Sequence, residues 1–81
     1  MKKYNIEKLN ADFSNGRITC NEYVTELHTE FFSGRITYNE FVTGLCIAEV
    51  GEEKFSNYDL IEGDLYIYCT DDTIKVMKDF Y

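Results

Sequence analysis

The sequence predicts an α+β fold in which three helices, at about 5–14, 20–32 and 38–50, precede a small antiparallel sheet. That sheet is predicted to contain a hairpin with strands at about 64–69 and 73–79. Three observations support this prediction: a duplicated stretch with helix-start signals, apolar residues at helical spacing before Gly51, and apolar residues in alternation near the C-terminus. A chain of 81 residues is expected to form a single domain, residues 1–81.

The duplicated stretch occurs at Gly16–Leu27 and Gly34–Leu45, and nine of its twelve positions are identical. Each copy places a threonine three residues before a glutamate, which is the spacing of a capping box at a helix start. The two pairs are Thr19 with Glu22 and Thr37 with Glu40. The glycine that opens each copy suits a left-handed cap on the preceding helix. Each copy therefore predicts where one helix ends and the next begins.

Apolar side chains form a stripe on each predicted helix. Helices 2 and 3 are joined by a short connection, so we expect their stripes to pack together. Gly44 lies inside the third helix, where glycine costs on the order of 1 kcal/mol relative to alanine. Its presence predicts a close approach by another element. The stripes are formed by Ile6, Leu9 and Phe13, by Tyr23, Val24, Leu27, Phe31 and Phe32, and by Phe41, Val42, Leu45, Cys46 and Ala48.

The pattern changes after the third helix. Residues 52–62 are polar and acidic, which predicts a loop with a short strand. Two alternating segments follow and are separated by residues 70–73, which predicts a hairpin. The expected register pairs Ile67 with Val76 and Cys69 with Ile74 on the inner face, with Tyr68 beside Lys75 and Tyr66 beside Met77 outside.

The net charge of −7 is concentrated in one block, residues 49–72, where eight carboxylates stand against Lys54 alone. An acidic protein repels nucleic acid and anionic membranes, and no apolar run approaches the roughly 20 residues of a membrane span. Two interpretations of the block stay open. It is a solvated face that keeps a small protein soluble, or, because it mixes acid with tyrosine, it binds a basic protein surface. The predicted partner-binding residues are Glu49, Glu52, Glu53, Tyr58, Asp59, Glu62, Asp64, Tyr66, Tyr68, Asp71 and Asp72.

A second acidic candidate is the row Glu22, Glu26 and Glu30 on the second helix. Like charges four residues apart cost a few tenths of a kcal/mol per pair. Two interpretations stay open: the row faces a cation, or it is tolerated at the surface.

The sequence contains no motif for catalysis or metal binding. Cys20, Cys46 and Cys69 lie far apart without a Cys-x-x-Cys pair, so we interpret them as reduced thiols in a cytoplasmic protein. His28 has no nucleophile at motif spacing. The duplicated stretch is similar to the second half of a calcium-binding EF-hand loop, but the residues at the first and third positions cannot bind calcium. We therefore predict a non-enzyme with no metal and no cofactor.

Two resemblances bear on function. The two copies, at 15–22 and 33–40, resemble the Gly-x-Ile-Thr-x-x-Glu-Phe core of the SHOCT module, a short bacterial helical element, and this implies an interaction role. Size, pI and the Asn, Lys, Tyr and Ile content resemble phage-encoded anti-CRISPR proteins. That resemblance implies an inhibitor that occupies the nucleic-acid site of a CRISPR effector in the host cytoplasm, with the acidic block in place of phosphates.

The sequence thus predicts an acidic binding protein that inhibits a larger, basic, nucleic-acid-handling partner without binding nucleic acid or a membrane itself. The alternative is a structural or oligomerising module that forms a homodimer through aromatic residues on helices 2 and 3.

Overall fold

The computed structural model describes residues 5–80 and shows three α-helices followed by a three-stranded antiparallel sheet. The predicted α+β fold class is confirmed, and each helix bound agrees with the prediction to within one residue. In chain order the elements are α1 Ile6–Ser14, α2 Cys20–Phe32, α3 Tyr38–Val50, β1 Phe55–Ile61, β2 Asp64–Cys69 and β3 Ile74–Met77.

Both predicted capping boxes form. The side chain of Thr19 accepts a hydrogen bond from the Glu22 backbone N–H at 3.1 Å, and the Glu22 carboxylate accepts one from the Thr19 N–H at 2.8 Å. Thr37 and Glu40 repeat both bonds at 3.1 and 2.8 Å. Four backbone donors that a helix start would leave without partners are thus satisfied inside the duplicated stretch.

The glycine of each copy ends the preceding helix, as predicted. Gly16 and Gly34 have φ angles of 75° and 79°, which glycine adopts without the steric cost of a side chain. After α1, the Arg17 N–H reaches the Asp12 carbonyl at 2.8 Å and the Gly16 N–H reaches the Phe13 carbonyl at 3.1 Å. These two bonds define a Schellman motif, and the second copy repeats them at 2.9 and 3.0 Å.

The duplication extends to side chains that tie the helices together. In the first copy, Arg17 pairs with Asp12 at 3.0 Å, and the rings of Phe13 and Tyr23 stack with centroids 4.5 Å apart. The equivalent contacts in the second copy are Arg35 with Glu30 at 3.5 Å and Phe31 stacked on Phe41 at 4.6 Å. The repeat is therefore a structural unit of cap, ion pair and ring stack.

The core lies between the helices and one face of the sheet. Leu27 of α2, Val42 of α3 and Leu65 and Ile67 of β2 are all fully buried within it. The predicted close approach at Gly44 is confirmed, because a Cβ built there would lie 2.6 Å from a methyl carbon of Leu27.

The segment predicted as a loop with a short strand contains the seven-residue strand β1. A bulge between Phe55 and Asn57 interrupts its pairing with β2, and this hid the strand from a test for alternation. The turn into β2 has positive φ at both Glu62 and Gly63, as a two-residue type I′ hairpin requires. β2 is the central strand of the sheet.

The predicted register of the β2–β3 hairpin is wrong by one residue. Ile67 pairs with Lys75 rather than with Val76, and Ile74 pairs with Tyr68 rather than with Cys69. The loop holds three residues, 70–72, because the Asp72 N–H closes a turn on the Cys69 carbonyl and Asp72 itself adopts a φ of 65°.

A slip of one residue moves each side chain of a strand to the other face. Ile74 and Val76, which were predicted to be inside, therefore lie outside beside Tyr68 and Tyr66, while Met77 pairs with Leu65.

Across residues 5–80, no helix is long and apolar enough to cross a membrane.

Candidate functional site

Five of the predicted acidic residues gather at one end of the sheet. The Thr70 N–H donates to the Lys54 carbonyl at 2.8 Å, and the Thr70 hydroxyl donates to the Glu53 carbonyl at 3.3 Å. These bonds fasten the α3–β1 loop to the β2–β3 loop and bring together residues from two parts of the chain. We call this region the anionic end, and it consists of Glu49, Glu52, Glu53, Asp71 and Asp72, with Lys54 and Lys75 among them.

Three of these carboxylates also stabilise the fold. Glu49 pairs with Lys75 at 2.6 Å, and Glu52 accepts a hydrogen bond from the Ser14 hydroxyl at 2.9 Å. Asp71 accepts hydrogen bonds from the side chain and the backbone N–H of Thr73, and these lower its pKa below the ordinary value. The other two, at positions 53 and 72, make no ion pair or side-chain hydrogen bond within residues 5–80 and are exposed.

The anionic end contains two shallow clefts. One of about 270 Å³ is lined by Glu49, Lys54, Asp71 and Lys75 among others. The second, of about 420 Å³, lies between the end of α1 and the α3–β1 loop, with Glu53 in its lining. Both clefts combine carboxylates with lysine, and in the first a cationic side chain of a partner can displace Lys75 from its pair with Glu49.

The remaining predicted residues divide between the two faces of the sheet. Tyr66 and Tyr68 lie on the face away from the helices, where the Tyr68 hydroxyl donates to the Asp59 carboxylate at 2.8 Å. That hydrogen bond raises the pKa of Tyr68. Tyr58 lies on the opposite face, and its hydroxyl donates to Asn39 of α3 at 2.6 Å. Burial raises the pKa of Tyr58. The structure therefore does not bring the three tyrosines together.

Glu62 and Asp64 lie at the far end of the sheet from the anionic end, at the β1–β2 turn. Asp64 accepts hydrogen bonds from the Asp79 N–H at 3.0 Å and from Lys78 at 3.1 Å. These two bonds lower the pKa of Asp64. The sequence block of eight carboxylates thus becomes an anionic end, a separate pair at the far end, and Asp59 between them.

The acidic row on α2 is partly used inside the fold. Glu22 closes the first capping box, and Glu30 is buried with 5% exposure beside Arg35. Glu22 and Glu26 also line a groove of about 570 Å³ between α1 and α2, together with Asp12. The row therefore does not present three equivalent carboxylates to one surface.

Sequence reasoning missed three exposed aliphatic side chains. Ile61, Ile74 and Val76 are 47%, 58% and 40% exposed, and they share the outer side of the sheet with Tyr66 and Tyr68. A signal in the sequence could have found Ile74 and Val76. Aspartate tolerates the left-handed (αL) conformation, and placing Asp72 in that conformation gives a three-residue loop and shifts the register by one residue.

The thiols and the imidazole do not converge. Cys20 is exposed, Cys69 is half-buried, and burial raises the pKa of the Cys46 thiol to about 12. His28 contacts the Val24 carbonyl through Nδ1 at 2.9 Å. In the described part of the chain, no group of three or more His, Cys, Asp and Glu side chains is arranged to hold a metal ion.

Comparison of the chain with models of protein families, with curated proteins and with solved structures found no match. A functional assignment must therefore rest on the surfaces described above.

Proposed function

We propose that this protein is a non-enzymatic, acidic binding protein that places its anionic end on a basic surface of a larger, nucleic-acid-handling protein. By occupying that surface it inhibits the partner, as the resemblance to anti-CRISPR proteins implies, and it would act in the cytoplasm of the host cell. A CRISPR effector is one partner with the required basic channel.

The observation that carries the proposal is the convergence of five carboxylates against two lysines at one end of the sheet. The excess of three negative charges is held on two loops that bond to each other through Thr70. Loops fixed in this way lose little conformational freedom on binding, so more of the electrostatic attraction appears as affinity. Clustered charge also raises the association rate with an oppositely charged surface, and added salt weakens that attraction.

The test is affinity capture from a lysate of the native host with a charge-reversed variant. Glu53→Lys reverses the charge of an exposed carboxylate of the anionic end. Glu7→Lys reverses the charge of an exposed carboxylate on α1 and serves as the control. We expect the wild type and the control to capture a basic nucleic-acid-binding protein. Glu53→Lys should weaken that binding about fivefold at low salt, since a charge pair near a surface contributes on the order of 1 kcal/mol.

Two further measurements make the test specific. Binding of the captured protein to its nucleic acid should decrease as the acidic protein is added, and the difference between the two variants should shrink as salt is added. Equal capture by both variants, or capture of a protein whose nucleic-acid binding is unaffected, would contradict the proposal.

A second candidate is the homodimer formed through helices 2 and 3. Phe32 at the end of α2 is 78% exposed and Tyr38 at the start of α3 is 45% exposed, and both rings contact Phe31. Aromatic residues in such numbers at one corner are typical of an interaction surface. Light scattering on wild type and Phe32→Ser tests it: the dimer would be insensitive to salt and lost in the variant, whereas a monomeric wild type excludes it.

A further inference from the structure

The outer sheet face, defined by Asp59, Ile61, Tyr66, Tyr68, Ile74 and Val76, is a second candidate surface. The strand register sets the cross-strand neighbours on this face. Tyr66 lies between Asp59 and Val76, and Tyr68 lies between Asn57 and Ile74. The helices pack on the other side of the sheet, where Leu65 and Ile67 are fully buried. Within residues 5–80, no segment covers the outer sheet face.

This face combines aromatic rings with exposed aliphatic groups. Tyr66 and Tyr68 are half-buried in the central strand, and the three aliphatic side chains around them are 40–58% exposed. The hydroxyl of Tyr68 is held by Asp59, which fixes the position of its ring. A contiguous apolar group rimmed by charge is typical of an interaction site.

The charges around the outer sheet face indicate the chemistry of its partner. Asp59 lies on the face, Glu62 lies at one end of it, and Asp71 and Asp72 lie at the other. Two lysines lie near the ends of this face. Lys78 is paired with Asp64 at 3.1 Å. The hydrogen bonds from Thr73 and the nearby charge of Lys54 lower the pKa of Asp71. The carboxylates at the margins outnumber these cations. The margins are therefore anionic while the centre is aromatic.

Arginine fits this combination better than lysine. The planar guanidinium stacks on tyrosine rings and can bond to a carboxylate at the same time, whereas the strongly hydrated ammonium of lysine stacks poorly. Phosphate groups would be repelled by the rim. Charge complementarity thus selects one occupant, a protein surface that presents arginine side chains.

We propose that the outer sheet face docks arginine side chains of the basic partner, with Tyr66 and Tyr68 as stacking platforms and Asp59 as the bonded carboxylate. This inference rests on the proposed function for the basic character of the partner. It adds a second contact surface beside the anionic end and a preference for arginine over lysine.

The experiment uses two synthetic peptides, one with arginines and one with lysines at the same positions of a Gly/Ser chain. Each is titrated into isotope-labelled protein while backbone amide signals are recorded by NMR. We expect the arginine peptide to bind about fivefold more tightly, as a cation–π contact at a partly exposed site implies. Its largest shifts should fall on residues 59, 66, 68 and 76.

Tyr66→Ser should bring the arginine-to-lysine affinity ratio close to one. Tyr38→Ser, which removes an exposed tyrosine on α3, is the matched control and should leave the ratio unchanged. Because the shift map is read on the wild type, the proposal can be tested even if Tyr66→Ser fails to fold.

The possible outcomes separate this inference from the proposed function. If both peptides bind equally and shift residues 53, 71 and 72 alone, the docking inference fails and the anionic end remains the proposed site. If neither peptide binds at low salt, the inference is overturned as well. If the arginine peptide shifts the outer sheet face while Glu53→Lys has no effect on capture of the partner, the inference holds and the assignment of docking to the anionic end is wrong.

Discussion

The contact between Gly44 and Leu27 makes a sharp test of how α2 and α3 pack. A methyl group added by Gly44→Ala would lie 2.6 and 2.7 Å from the two terminal methyl carbons of Leu27 and 3.2 Å from its Cγ. Both branches of the side chain are therefore in conflict with the new methyl group. Leu27 is fully buried, so it has little room to turn away.

Two effects of opposite sign decide the outcome. Alanine is favoured over glycine in a helix by about 1 kcal/mol, whereas overpacking a core costs typically about 1–3 kcal/mol. Since the conflict involves both methyl carbons, we place the cost in the upper part of that range and expect Gly44→Ala to lower the free energy of unfolding by about 1–2 kcal/mol.

The double variant separates the two effects. Leu27→Ala alone should cost about 3 kcal/mol, because it removes buried methyl groups and leaves a cavity. In that background Gly44→Ala meets no methyl carbons and should stabilise the protein by about 1 kcal/mol, which corresponds to a coupling of about 2–3 kcal/mol between the sites. Urea unfolding of the four proteins, followed by helical circular dichroism, measures each free energy. Stabilisation by Gly44→Ala in both backgrounds would refute the close packing of α2 on α3.

Three further predictions follow from single positions. Asp72→Gly should stabilise the protein by about 0.5–1 kcal/mol in urea unfolding, because Asp72 has a φ of 65° and glycine adopts that angle without strain. Asp64→Asn should make acid unfolding, followed by circular dichroism, less steep. The lowered pKa of Asp64 contributes stability that is present above its ordinary pKa of 3.8 and is lost as the pH falls through the pKa of the folded state. An unchanged acid transition would contradict this. A thiol reagent at mildly alkaline pH should label Cys20 in the native protein and Cys46 only after unfolding, because Cys20 is exposed and burial raises the pKa of Cys46 to about 12. Peptide mass spectrometry identifies the labelled cysteine. Labelling of Cys46 in the native protein would contradict its burial.

The helical half of the fold was predictable because its signals are local. A capping box needs residues three positions apart, and Gly16 and Gly34 mark the helix ends through a preference that belongs to a single residue. The sequence also indicated that Gly44 is approached closely. It could not name Leu27 as the neighbour, because that contact depends on how two helices are rotated about their axes.

The sheet was less predictable because two irregular positions control it. The bulge after Phe55 breaks the alternation of β1, and the left-handed conformation of Asp72 inserts a residue into the β2–β3 loop. Either feature shifts the periodicity by one residue, and a shift of one residue exchanges the two faces. The exposure of Ile74 and Val76 follows directly from the second feature.

Charge in the sequence and charge on the surface are different quantities in this protein. Residues 49–72 carry eight carboxylates, but Lys75 and Lys78 from the following strand region compensate Glu49 and Asp64. Most of the remaining carboxylates, which have no ion-pair partner within residues 5–80, therefore lie in the loops at the two ends of the sheet. The outer sheet face between these loops has an aromatic centre. A partner that covered this protein would therefore meet apolar rings flanked by acid at both ends. A protein surface that presents arginines opposite the tyrosines and basic groups opposite both ends is the electrostatic complement of that pattern, in line with the docking proposed above.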